Sequence, residues 1–194
     1  MSNPRVHLLL GPEQGEKANE VRRIRELAAK EADGAEVDEH RFYAFETPVQ
    51  DALALLRSGS LFAGHTLVIV NGVEQLKRKE DLDLLEGYLK SPSETGTLVL
   101  ISDEFRVNDP RSKKDWTKSI PQDNRKIFWE LFENQKRDWL YTFFRRRHVE
   151  VEEEAVELIL ELVDNNTLEM KRAAGRLAMF VGEQGRLTAD EVES

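Results

Sequence analysis

Three short runs of this chain, Val6-His-Leu-Leu-Leu10, Thr66-Leu-Val-Ile-Val70 and Thr97-Leu-Val-Leu-Ile101, are almost continuously apolar. A strand with one wet face would alternate. A run of this length without alternation, rich in β-branched residues, reads as a parallel strand covered on both faces. Such strands oblige the chain to supply helices for both sides of a sheet. The segments between them have helical period. Val21, Ile24, Leu27 and Ala28 share one face of a stretch from Glu13 to Lys30. Thr47-Pro48 reads as an N-cap with proline at the first helical position, followed by Val49, Ala52, Leu53, Leu55 and Leu56, with Gly59 as the stop. Leu82, Leu84, Leu85, Tyr88 and Leu89 make a third helix from Glu80 to Leu89, ended by Ser91-Pro92. Arg41-Phe-Tyr-Ala-Phe45 reads as a further strand, and Lys126-Ile-Phe-Trp129 as a short fifth. The order predicts an α/β fold, a three-layer parallel sheet with right-handed crossovers. Only between Phe105 and Asn124 does the pattern dissolve, into an expected exposed loop or ragged helix.

After Trp129 only helical periods remain. Trp139, Leu140, Phe143 and Phe144 share a face; Ala155, Ile159, Leu162 and Val163 make a second helix. Asp164-Asn165-Asn166 is a turn, and a third helix runs from Leu168 through Ala174, Leu177, Ala178 and Val181 to Gly182. Two domains are therefore expected, 1–132 and 133–194, with the boundary near Glu130 to Asn134. Thr188-Ala-Asp-Glu191 matches a capping box, which opens a helix. The sequence stops three residues later, as expected of a chain cut from a longer protein.

Composition removes several function classes. No run approaches the roughly 18 apolar residues of a membrane span. The absence of cysteine excludes disulfides, thiolate metal sites and cysteine nucleophiles, and fits a reducing, cytoplasmic setting. With 28 basic and 37 acidic residues the net charge is −9, poor for holding nucleic acid unaided. His7, His40, His65 and His148 have no metal-ligand spacing, so no metal is expected.

The turn after the first strand, Gly11-Pro-Glu-Gln-Gly15-Glu-Lys17, sits where a phosphate-binding loop would. Against G-x-x-x-x-G-K-[ST] it lacks one spacer, has Glu16 between glycine and lysine, and has Ala18 in place of the Mg²⁺-binding hydroxyl. Glu13 and Glu16 would also oppose phosphate. Asp103-Glu104 after the fourth strand only superficially resembles a metal-binding carboxylate pair. No cofactor and no catalytic residue is expected.

Ser58-Gly-Ser-Leu61-Phe62-Ala-Gly-His65 joins a helix to the Thr66 strand. Leu61 and Phe62 either fold back over the sheet edge or insert into a partner's pocket, where each could contribute roughly 1.5–3 kcal/mol.

Several of these pieces together resemble the delta subunit of the bacterial DNA polymerase III clamp loader. They are Leu8-Leu-Leu-Gly11 with its degenerate loop, Ser60-Leu61-Phe62-Ala63 directly before an apolar strand, and Phe128-Trp-Glu-Leu131 with Trp139. Ala155-Val-Glu-Leu-Ile159, Val163-Asp-Asn-Asn166-Thr-Leu168 and the closing Leu187-Thr-Ala-Asp-Glu-Val192 complete the set. The resemblance implies an AAA+-type α/β domain, a three-helix lid, and a collar domain that would follow Ser194. It implies a cytoplasmic subunit that opens the sliding clamp during DNA replication without hydrolysing ATP. Leu61 and Phe62 match the residues that plug the clamp's pocket. The implied partners are the clamp and the other loader subunits, the latter mainly through the collar, with DNA met only within the complex. The polar stretch 105–124, with Lys113, Lys114, Lys118, Arg125 and Lys126, departs from the family pattern; a solvated loop and a DNA or partner contact are its two readings. Arg145-Arg146-Arg147 ends a helix, where cations favour the dipole. Two other function classes remain: an active AAA+ ATPase, and an acidic adaptor with no replication role.

Overall fold

In the computed structural model, which describes residues 5–59, 64–108, 115–163 and 166–193, the apolar runs form the middle of a parallel sheet. Its strands are β1 (Val6–Leu10), β2 (Val37–Tyr43), β3 (His65–Asn71), β4 (Gly96–Ile101) and β5 (Arg125–Ile127), in the order β2-β3-β4-β1-β5. Between them lie α1 (Gln14–Glu31), α2 (Val49–Ser58) and α3 (Lys79–Lys90). The expected α/β class is what the chain adopts.

The two-residue period of a strand divides the core into halves. Val6, Leu8, Leu10, Val68, Val70, Leu98 and Leu100 pack with Leu53 and Leu56 of α2 and Leu85, Tyr88 and Leu89 of α3. The alternate positions Leu9, Leu67, Ile69 and Val99 meet Val21 and Ile24 of α1. Every one of these strand residues is buried, and none is polar.

Two strands differ from expectation. β2 covers Val37–Tyr43 rather than 41–45, and Phe45 lies beyond it, 62% exposed. The strand is at the sheet edge, so its first half tolerates Asp38, Glu39 and His40. Glu39 is held by a two-pronged pair from Arg25 of α1, at 2.5 and 2.9 Å. β5 ends at Ile127; Phe128 still donates its N–H to the Leu10 carbonyl at 2.8 Å, whereas Trp129 is 63% exposed.

The stretch from 105 to 124 is also different, apart from 109–114, Lys113 and Lys114 included, which lie outside the described residues. Its described part is not a loose loop. Two 3-10 turns, Trp116–Ser119 and Gln122–Asn124, bring Val107, Trp116 and Ile120 into the core beside α3. Asp115 opens the first turn, accepting from the Thr117 N–H at 3.1 Å and its hydroxyl at 2.6 Å. Burial pushes the Asp115 carboxyl up, but the hydrogen bonds from Thr117 and Asn108 outweigh it and hold the group below its usual pKa. Asn124 anchors the second turn by donating to the Val6 carbonyl at 2.9 Å. These apolar residues are spaced without a helix or strand period, so periodicity could not reveal them.

The chain divides into two units: one runs to Pro12 and resumes from Lys17 to Phe128, the other comprises Glu13–Glu16 and the chain from Trp129 onward. The second unit holds α4 (Glu133–Arg145), α5 (Glu153–Leu162), α6 (Thr167–Val181) and the short α7 (Ala189–Glu193). Leu140, Phe144, Val156, Ile159, Met170 and Ala174 make its separate core. Two-residue strands β6 (Glu150–Val151) and β7 (Arg186–Leu187) pair in parallel there, too short for alternation to show in sequence. The capping box is visible at the start of α7, where the Glu191 carboxylate accepts the Thr188 N–H at 2.8 Å. Among the described residues no helix is long and apolar enough to cross a membrane.

The buried 3-10 turn gives a direct test. Ile120→Ala is expected to cost about 2–5 kcal/mol, as for other buried aliphatic truncations. Ile127→Ala, at a half-exposed position, is expected to cost about 1 kcal/mol or less. Urea unfolding of both variants measures the difference; equal losses would return 115–120 to the status of a surface loop.

Candidate functional site

Residues 60–63, which include Leu61 and Phe62, lie outside the described residues; their flanks do not. On one side α2 ends at Gly59, whose φ of 64° favours glycine and whose N–H bonds to the Leu55 carbonyl at 3.1 Å. On the other, Gly64 donates to the Glu36 carbonyl at 3.2 Å. A Cβ on Gly64 would stand 2.8 Å from both the Ala32 carbonyl oxygen and the Ala35 Cβ, so the backbone passes where no side chain fits. His65 follows, buried, with Nε2 at 2.9 Å from the Thr97 hydroxyl and Nδ1 at 3.7 Å from Glu31. Four residues are thus strung between two fixed ends at the start of β3. Because β1 and β3 are both parallel to β4, that place is at the opposite end of the sheet from the turn after β1.

The turn after β1 uses its own polar groups. Gly11 has φ of 100°, and a Cβ there would come within 2.2 Å of the Phe128 carbonyl oxygen. Within the sheet unit, Lys17 is buried at 3% exposure and does not reach into solvent. Its ammonium donates to the Ser102 carbonyl at 3.1 Å and pairs closely with the Asp103 carboxylate. Within the helical unit, Glu13 is buried and takes the first N–H groups of α1, from Gly15 at 2.9 Å and Glu16 at 3.4 Å. Glu13 also accepts from the Thr167 hydroxyl at 2.5 Å. Sequence reading placed Glu13 as a charge that opposes phosphate; in the fold it is a cap. Glutamate is not among the favoured capping residues, and its partner Thr167 lies 154 positions away, so no local signal announces this role.

No group of three or more His, Asp or Glu side chains among the described residues is arranged to hold a metal ion. His40 faces Asp38 at 2.9 Å on the β2 edge. In the helical unit, Arg147 lies 3.7 Å over the Phe143 ring, which itself stacks on Trp139. That unit also bears a groove of about 480 Å³ lined by Ile159, Leu162, Val163, Leu177, Phe180 and Val192. Of these, Leu162 and Phe180 are 64% and 67% exposed.

Comparison with protein families matches residues 7–128 to the DNA polymerase III delta subunit. No curated protein sequence matches the chain. Among solved structures, the chain is similar to the Bacillus subtilis DNA clamp loader delta protein YqeN, with TM-score 0.60 and 23% identity over 99% of this chain and 57% of that one. A Thermotoga maritima RuvB mutant gives TM-score 0.62 at 17% identity, over 96% of this chain and 60% of that one. Aeropyrum pernix ORC1, solved in complex with DNA, gives 0.60 at 21% identity, over 99% and 59%. At these identities the likeness is one of fold. The chain spans somewhat over half the length of these structures.

The buried flank is sensitive to acid. Burial lowers the pKa of His65 below its usual 6.5, opposed by Glu31 and aided by Arg5. Below pH 6.5 the unfolded chain takes up a proton that the native histidine refuses. The stabilisation is therefore intact above that pH and lost as pH falls through the lowered native value. Between about pH 7.5 and 5.5 the parent chain should lose more stability than His65→Gln in urea unfolding. Equal losses would show that His65 protonates freely in the native state.

Proposed function

The chain belongs to the family of DNA polymerase III delta subunits, and we propose that it is the sheet and lid portion of a clamp-loader subunit that grips the sliding clamp. The observation that carries the reading is the family match itself: residues 7–128 take in both fixed flanks and the four residues between them. Leu61 and Phe62 are the residues assigned to the clamp's apolar pocket. Two adjacent large apolar side chains anchored at both ends have the composition and size of an interface hot spot. Anchoring matters because a subunit that pulls a ring open must pass force from those two side chains into its body. Gly59, Gly64 and His65 tie the element to α2, to the Ala32–Ala35 turn and to β4, and so to the sheet.

The proposed subunit does no chemistry of its own. A nucleotide loop offers free backbone N–H groups and a free lysine to phosphate. Here Lys17 is held by Ser102 and Asp103, and the N–H groups of Gly15 and Glu16 are held by Glu13. Ala18 supplies no metal-binding hydroxyl. The domain after the lid, the neighbouring loader subunits and any DNA contact belong to the assembly that this reading implies.

Calorimetric titration against the cognate clamp tests the reading. Leu61→Ala combined with Phe62→Ala should weaken binding by at least about 2 kcal/mol, the scale of a hot-spot pair. Unchanged affinity would remove the element from the interface. In parallel, ATP with Mg²⁺ should leave the melting temperature of the chain unchanged; a rise would favour an active ATPase.

A further inference from the structure

Two helices begin at one carboxylate. Glu13 is 1% exposed and belongs, with Gln14, Gly15 and Glu16, to the helical unit. Its Oε1 accepts from the Gly15 N–H at 2.9 Å, the Glu16 N–H at 3.4 Å, the Thr167 N–H at 3.1 Å and the Thr167 hydroxyl at 2.5 Å. Its Oε2 accepts from the Thr167 N–H at 3.2 Å. Gly15 and Glu16 are in the first turn of α1, and Thr167 is the first residue of α6. Among the described residues its partners are thus backbone N–H groups and one hydroxyl, with no lysine or arginine.

A buried anion is costly unless it is met by donors. Here the donors are the backbone N–H groups of Gly15, Glu16 and Thr167, the kind of donor that elsewhere receives phosphate or carboxylate ligands. The fit is close. A Cβ on Gly15 would come 1.9 Å from the Thr167 hydroxyl oxygen and 2.8 Å from the Leu168 nitrogen, so only glycine allows the approach. α6 has its own cap besides, Asn166 accepting the Glu169 N–H at 2.9 Å, which leaves the Thr167 N–H for Glu13.

We propose that the Glu13 carboxylate is a built-in anion that latches residues 13–16 to the start of α6, filling from within the place a ligand phosphate would take. The latch is covalently supplied, so it is closed whatever nucleotide is in solution. Glu13 is a positioning residue, and its role stands whether or not the chain binds a clamp.

Amide hydrogen exchange of the 194-residue chain, with and without inorganic phosphate as the probe, tests this. In Glu13→Ala the Gly15 and Thr167 amides should exchange at least about tenfold faster, as expected when a buried donor loses its acceptor. The sheet amides of Val68 and Val99 should keep their protection. Millimolar inorganic phosphate should slow the two amides again in the variant and leave the parent unaffected. A purely structural contact would not respond to phosphate. Should Glu13→Ala fail to fold, Glu13→Gln, which keeps one acceptor oxygen without the charge, should show the same acceleration to a smaller extent. Unchanged exchange at Thr167 in the variant that folds overturns the latch. Failure of phosphate to reverse the acceleration in Glu13→Ala, or equal phosphate protection of the parent, overturns its anionic character.

Discussion

β1, β3 and β4 must be covered on both faces, and the placement of everything else in the sheet unit follows from that. Leu67, Val68, Ile69, Leu98, Val99 and Leu100 have no exposed surface, and neither do Leu8 and Leu9. A parallel ladder with two dry faces needs a helix on each crossover, and right-handed crossovers then send every loop to one of two sheet ends. Gly64 leads into β3 and so falls at one end. The Gly11–Lys17 turn leaves β1 and falls at the other. About 20 Å of strand separates them, at some 3.3 Å per residue. The two ends of the sheet share only the strands between them.

In the β1 turn the groups that a phosphate loop would leave free are satisfied within the protein. Gly15 and Lys17 are satisfied internally, with Glu13 on the backbone N–H groups and Asp103 on the ammonium. A carboxylate at a helix N-terminus is stabilised by the same partial charge that would draw phosphate.

Much of the fold was legible because burial on two faces leaves a mark in composition. β3 and β4 were expected within one residue of where they stand, since no polar residue interrupts them. β2 was misplaced because an edge strand escapes that demand: Asp38 and Glu39 sit in it, one of them paired to Arg25. Trp116 and Ile120 were missed because a 3-10 turn has too few residues to show a period. The β6–β7 ladder was missed for the same reason. Of the candidate site, the degenerate loop could be read residue by residue. The Glu13–Thr167 bond could not, because two residues so distant in sequence meet only through tertiary packing. Leu61 and Phe62 were singled out by their surroundings of small residues and by resemblance; the described residues supply their anchored flanks.

The central claim is that the end of the sheet at Gly59–His65 meets the clamp and the end at Gly11–Lys17 does not. Hydrogen exchange of the chain alone and saturated with its cognate clamp reads both ends in one experiment. The account predicts new protection in the peptide spanning 59–65 and none in the peptide spanning 11–17. Protection confined to 11–17, or no change at 59–65 under saturation, would contradict it.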